Sequence, residues 1–205
     1  MNFFFGLNNN NFKSEIQIPC FKNKEPQINL SHLKIFKISI MNNLWKFEKI
    51  KLEKKDNFFI LKDEEIDNSS SYFLSPETNE IKFNSSKLDD YDSFTDTHPA
   101  FRANLKIKYK SYGFSSYQSE YPASMIFKQG SILSSIHSLA NKDADKNYLM
   151  FKNIYHLPTQ ENSDAFFIDI KKRKIVEKFS IKSNFTNFIE INKSIIKPEI
   201  YFFTK

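Results

Sequence analysis

The chain has 205 residues; 23 are Phe and only three are Gly, and 30 Lys and Arg stand against 24 Asp and Glu for a net charge of +6. Glycines at 6, 113 and 130 alone cannot write a dinucleotide fingerprint or a Walker phosphate loop, both of which need closely spaced glycines. A 40% hydrophobic content with 26% charged residues fits a folded domain with a real core, and no apolar run exceeds four residues, as at Phe58–Leu61 and Ala165–Ile168, far short of the roughly 20 a spanning helix needs.

The N-terminus, Met1-Asn2-Phe3-Phe4-Phe5-Gly6-Leu7 followed by Asn8–Asn11, lacks the basic and long apolar regions of a signal peptide and reads as a frayed end over 1–12. The lone Cys20 cannot form an internal disulfide and suits a reducing compartment, so the expected location is cytoplasmic. Further along, short segments rich in β-branched and aromatic residues recur between Asn, Ser, Asp and Pro clusters. They include Glu15–Ile18, Leu33–Ile40, Leu44–Leu52, Phe58–Leu61, Ser71–Leu74 and Glu80–Phe83. In the second half come Asn104–Lys110, Met125–Phe127, Tyr148–Phe151, Ala165–Ile170, Ile175–Ile181, Phe188–Ile191 and Glu199–Phe203. This spacing predicts a single, mainly β domain over 1–205: an antiparallel β-sandwich or open barrel of many short strands with at most one or two short helices.

Three hairpins are expected. One joins Leu33–Ile40 to Leu44–Leu52 through Met41-Asn42-Asn43, and the parity change between Trp45/Phe47 and Ile50/Leu52 suggests a bulge. A second joins Phe73 to Phe83 through Ser75–Asn79, and a third joins Phe166–Ile170 to Ile175–Ile181 through the basic turn Lys171–Lys174. With glycine scarce, Asn must supply the positive φ that tight turns use. Helical spacing is best at Ser131–Ala140, with a strand pair as the alternative.

The candidate site is Ser111–Pro122, whose apolar mass is all Phe and Tyr. Aromatic faces beside amide, hydroxyl and carboxylate tips suit a polar ligand, a carbohydrate above all, with Tyr112, Tyr117, Gln118, Glu120 and Tyr121 as contacts. Arg102, one of two arginines, leads into this segment and could pair with Glu120 or the Asp89–Asp96 cluster, or anchor an anionic ligand. The leading expectation is therefore a non-catalytic binding module. The alternative is a carbohydrate-active enzyme with Glu120 as general acid or base and Asp92, Asp96 or Asp169 as the second carboxylate. A third reading is an oligomer-forming protein with an aromatic interface.

The acidic stretch Asp89–His98 and the segment Asp143–Asn147 both fail as EF-hand loops for want of the turn glycine and the terminal acid, so neither is assigned a metal. His32, His98, His137 and His156 lie at no metal-ligand spacing. Nothing calls for a cofactor. Scarce Arg and lysines interleaved with acids along the chain argue against nucleic acid as a partner, and nothing suggests a membrane.

Overall fold

The computed structural model describes residues 2–19, 33–51, 53–56, 58–76, 84–88, 104–110, 112–118, 121–122 and 132–204. The protein is mainly β, and among the described residues all strand pairings are antiparallel within open sheets, as the pattern of short strands predicts. The chain divides into two compact units, Met1–Phe127 with Tyr155–Thr159, and Lys128–Ile154 with Gln160–Lys205.

The first unit contains β1 (Asn2–Phe3), β2 (Phe12–Pro19), β3 (Leu33–Met41), β4 (Leu44–Ile50), β5 (Glu53–Lys55) and β6 (Phe58–Leu61). Then follow β7 (Ser71–Pro76), β8 (Asn84–Ser85), β9 (Asn104–Tyr109), β10 (Tyr112–Gln118) and β11 (Tyr121–Pro122). A four-stranded sheet runs β7-β3-β4-β8, a five-stranded sheet β10-β9-β2-β6-β5, and β1 pairs with β11. The expected β3–β4 hairpin forms on Asn42 and Asn43, at φ 52° and 57°, the left-handed pair that a two-residue hairpin turn requires. The expected bulge is absent: register runs unshifted from Ile35 opposite Ile50 to Met41 opposite Leu44, and the parity change marks the end of β4 instead. Of the turn predicted over Ser75–Asn79, Ser75 and Pro76 are the last residues of β7, and 77–83 lie outside the described residues; β7 and β8 occupy opposite edges of one sheet.

Alternation along each strand gives this unit its core. Trp45 and Phe47 of β4 are buried while Lys46 and Glu48 pair on the other face at 2.6 Å. Phe73 stacks on Phe36 at 5.3 Å and meets Phe47 edge-on at 6.2 Å. Each such ring contributes on the order of 2 kcal/mol by leaving water. The N-terminal segment is not frayed. Phe3, Phe4 and Leu7 are fully buried, Phe4 exchanges backbone hydrogen bonds with Tyr72, and Gly6 packs against Ile66 and Ser14. Three aromatic or aliphatic side chains in five residues outweigh the entropy of a free end.

The second unit contains β12 (Ile132–Ser135), the single helical turn α1 (Ile136–Leu139), β13 (Asn147–Lys152), β14 (Asn162–Asp169), β15 (Lys174–Lys182), β16 (Thr186–Ile191) and β17 (Ile200–Thr204). Its sheets run β12-β17-β14-β15 and β13-β16. The predicted helix over 131–140 is thus half strand: pairing with β17 captures Ile132–Ser135, leaving one helical turn. The basic hairpin forms as predicted, with Arg173 at φ 53° and the buried Asp169 carboxylate accepting the Lys172 N–H at 2.8 Å. Ala165, Phe167, Phe202 and Ile200 centre the core of this unit.

Candidate functional site

The residues singled out in the sequence fall on two sheets. Tyr112, Tyr117 and Gln118 lie on β10, the edge strand of the five-stranded sheet, whereas Tyr121 lies on β11 opposite Phe3. Arg102, Glu120 and Asp89–His98, with Asp92 and Asp96, lie outside the described residues. The remaining proposed partner carboxylate, Asp169, is buried and occupied with the hairpin turn of the second unit. Asp143 and Asp145 are exposed on a loop that Asn147 closes by bonding both the N–H and the carbonyl of Asn141. Among the described residues no group of three or more His, Cys, Asp or Glu is placed to hold a metal ion.

What the sequence did not reveal is the surface to which β10 belongs. In β2, Ser14, Ile16 and Ile18 are buried, so Glu15 and Gln17 face outward; in β9, buried Leu105 leaves Asn104 and Lys106 outward. Register aligns these positions in rows across the sheet. Ile60, Gln17 and Asn104 form one row, which continues at Gln118 of β10. Glu15 and Lys106 form the next, continuing at Ser116, and Lys13 and Lys108 a third, continuing at Phe114. Tyr117 stands opposite Leu105, in the row of Leu61 and Ile16, whose side chains are buried. Tyr112 stands opposite Tyr109 beside a register shift at Gly113, where an extra residue in one strand makes a bulge.

An open groove of about 380 Å3 crosses this outer face. Glu15, Gln17, Lys106 and Lys108 supply its polar wall, and Phe58 and Ile60 its apolar floor. Gln17 Nε2 donates to Glu15 Oε1 at 2.5 Å, and Lys108 Nζ lies 3.8 Å from Glu15 Oε2. Those contacts fix the carboxylate and amide before any ligand arrives. A second groove of about 390 Å3 lies on the other side of Ile60, lined by Lys51, Glu53, Lys62, Glu64 and Glu65. There a hydrogen bond from Lys62 lowers the Glu53 carboxyl, while burial, then the charge of Glu64, raises that of Glu65. The sequence marks β2 and β6 as strands but not as parts of a site, because their outward residues are ordinary singly; only pairing gathers them.

The turn connecting β6 to β7 is a structural counterpart of this site. Burial pushes the Asp67 carboxyl up, but hydrogen bonds from Lys37, Ser69 and Ser70 and the charge of Lys37 outweigh it, so its pKa falls to about 2. Lys37 Nζ lies 2.6 Å from Asp67 Oδ2. Beside it the buried Tyr72 hydroxyl donates to the Glu65 carbonyl at 2.7 Å; burial, then the Asp67 charge, pushes that phenol up. These bonds hold the turn together: the Asp67 carboxylate accepts from the backbone N–H groups of Ser69 and Ser70 and from the Ser70 hydroxyl, and the Asp67 N–H donates to the Tyr72 hydroxyl.

Comparison with family models, with curated proteins and with solved structures returned no match to this chain.

Proposed function

We propose that the protein is a non-catalytic binding module that takes a polar ligand, foremost a carbohydrate, on the outer face of the five-stranded sheet. The observation that carries this reading is the alignment of Gln17 and Asn104 in one row and of Glu15 and Lys106 in the next, at a groove that Glu15, Gln17 and Lys106 line together with Phe58 and Ile60. Amides and charges at fixed strand spacing bond hydroxyls, while a ring and an aliphatic chain meet C–H faces. By backbone register the row of Gln17 and Asn104 runs to position 118 of β10, the strand within the tyrosine-rich segment. The open groove suits an extended chain of sugars more than an enclosed small molecule.

The test is a glycan array followed by titration calorimetry on wild type, Gln17→Ala, Asn104→Ala and Glu120→Gln. The expected result is a glycan whose affinity falls about tenfold for the first two variants, the loss of one or two hydrogen bonds to the ligand. Full affinity in both would remove this face from binding. Cleavage of the glycan by wild type but not by Glu120→Gln would replace the module with an enzyme.

A further inference from the structure

An antiparallel sheet with one solvated face alternates apolar with polar residues. The four-stranded sheet of the second unit does not. Its inner face gives Ala165, Phe167, Ile181, Ile200 and Phe202 to the core. Its outer face is apolar too, because Ala165–Ile168 and Ile200–Phe203 are unbroken apolar stretches. Register builds two adjacent outer rows: Leu133, Phe203, Phe166 and Lys178 in one, Ser135, Tyr201, Ile168 and Ile175 in the other. Leu133 and Ile175 at the margins are 56% and 58% exposed, and Phe166, Tyr201 and Phe203 between them are partly exposed. The Phe166 and Phe203 rings lie 6.3 Å apart at 30°, and Lys178 Nζ stands 5.9 Å from the Phe166 centroid, 2.8 Å from the Asp164 carboxylate.

Charge identifies the occupant. Lysines look evenly spread along the sequence, but the two units do not share them evenly. The second unit has thirteen Lys and Arg against eight Asp and Glu, a net +5; the first has seventeen against sixteen, a net +1. Four consecutive cations, Lys171–Lys174, lie exposed at the end of the β14–β15 hairpin whose outer face carries Phe166. A second copy docked on this face would set +5 against +5, whereas a polyanion is drawn to it.

We propose that this outer face binds single-stranded nucleic acid. Bases stack on Phe166, Tyr201 and Phe203, and the phosphates pass along Lys178 and the Lys171–Lys174 turn. Stacking requires base faces, which a duplex hides. Recognition is sequence-tolerant, since base edges are read chiefly by Arg and this unit contains only Arg173, in the turn.

The probe is a labelled oligothymidylate of about 12 nucleotides, with its duplex as comparison, followed by fluorescence anisotropy at several salt concentrations. Wild type should bind the single strand more tightly than the duplex. Tyr201→Leu with Phe203→Leu keeps apolar bulk without rings and should lower affinity about tenfold or more. Lys171→Gln with Lys172→Gln and Lys174→Gln changes exposed turn positions that leave the fold intact. It should flatten the slope of log affinity against log salt by about 2. The proposal is overturned if no binding occurs, if duplex binds as well as single strand, or if the lysine variant leaves the slope unchanged. It is equally overturned if sedimentation shows a dimer that Leu133→Ser with Ile175→Ser dissociates, since a second copy then covers the face.

Discussion

Gly6→Ala tests the packing of the N-terminal segment most directly. A Cβ at position 6 would lie 2.7 Å from Ile66 Cγ2 and 3.1 Å from Ser14 Cβ. Ordinary carbon contacts are about 3.5–4.0 Å, so the new methyl overlaps Ile66 by roughly 1 Å. Ser14 cannot retreat freely: its hydroxyl accepts from Leu7 N–H at 2.8 Å and donates to the Leu7 carbonyl at 2.6 Å, all buried. Overpacking costs about 1–3 kcal/mol, and loosening those hydrogen bonds adds about 1 more. The alanine gains back about 0.5 kcal/mol by restricting the unfolded chain. The expected net loss is about 2–3 kcal/mol, or roughly 5–10 °C in Tm for a chain of this size. Urea unfolding of Gly6→Ala, Ile66→Ala and the double variant makes the assay complete. Removing Cγ2 of Ile66 makes room for the methyl, so the double variant should be less destabilised than the sum of the singles by about 1 kcal/mol. An alanine variant as stable as wild type, or strict additivity, would refute the close packing.

Asp67→Asn should destabilise the protein above about pH 4 and leave it unchanged near pH 2. The folded pKa of about 2 lies below the unfolded value of about 3.9, so the stabilisation is present above the unfolded pKa and is lost as pH falls through the folded one. The shift alone corresponds to about 2.5 kcal/mol, but the side chain is 42% exposed; after screening by solvent a loss of about 1 kcal/mol is expected in melts at neutral pH, shrinking towards zero in melts at and below about pH 2. Trp45, the chain's single tryptophan, is 2% exposed, with its indole N–H donating to the His156 carbonyl at 2.8 Å. Its emission should be blue-shifted and shielded from acrylamide, and Trp45→Phe should cost about 1 kcal/mol in thermal melts. A spectrum resembling that of free indole would contradict the burial.

Strand positions were readable where apolar residues cluster, and Phe58–Leu61 is the strand its four residues suggest. The hairpins on Asn42-Asn43 and Lys171–Arg173 sit where the turn clusters stand, although positive φ also falls to Lys110 and Arg173, residues that short-range preference does not favour. Tertiary pairing decided the rest. Ile132–Ser135 has helical spacing, yet β17 offers it a ladder. The segment 112–118 stood out by its tyrosines, but its strand character comes from β9, and its neighbours Gln17 and Lys106 are distant or unremarkable in sequence. A site made by lateral register leaves no local signature, because each contributing strand supplies only alternate residues. For the same reason the outer apolar face of the second unit looks, in sequence, like two ordinary buried strands.

The short return of Tyr155–Thr159 to the first unit also has a kinetic meaning. Within it the His156 carbonyl receives both Trp45 Nε1 and the Leu88 N–H. A ribosome that has delivered residue 127 has therefore not yet supplied all of the first unit, and the missing piece arrives only after the first stretch of the second. Neither unit can be completed before synthesis of the other has begun, so truncation at residue 127 would leave the Trp45 indole without its acceptor. That bond joins residues 111 apart in sequence, so the acceptor that satisfies the Trp45 indole is among the last parts of the first unit to be synthesised.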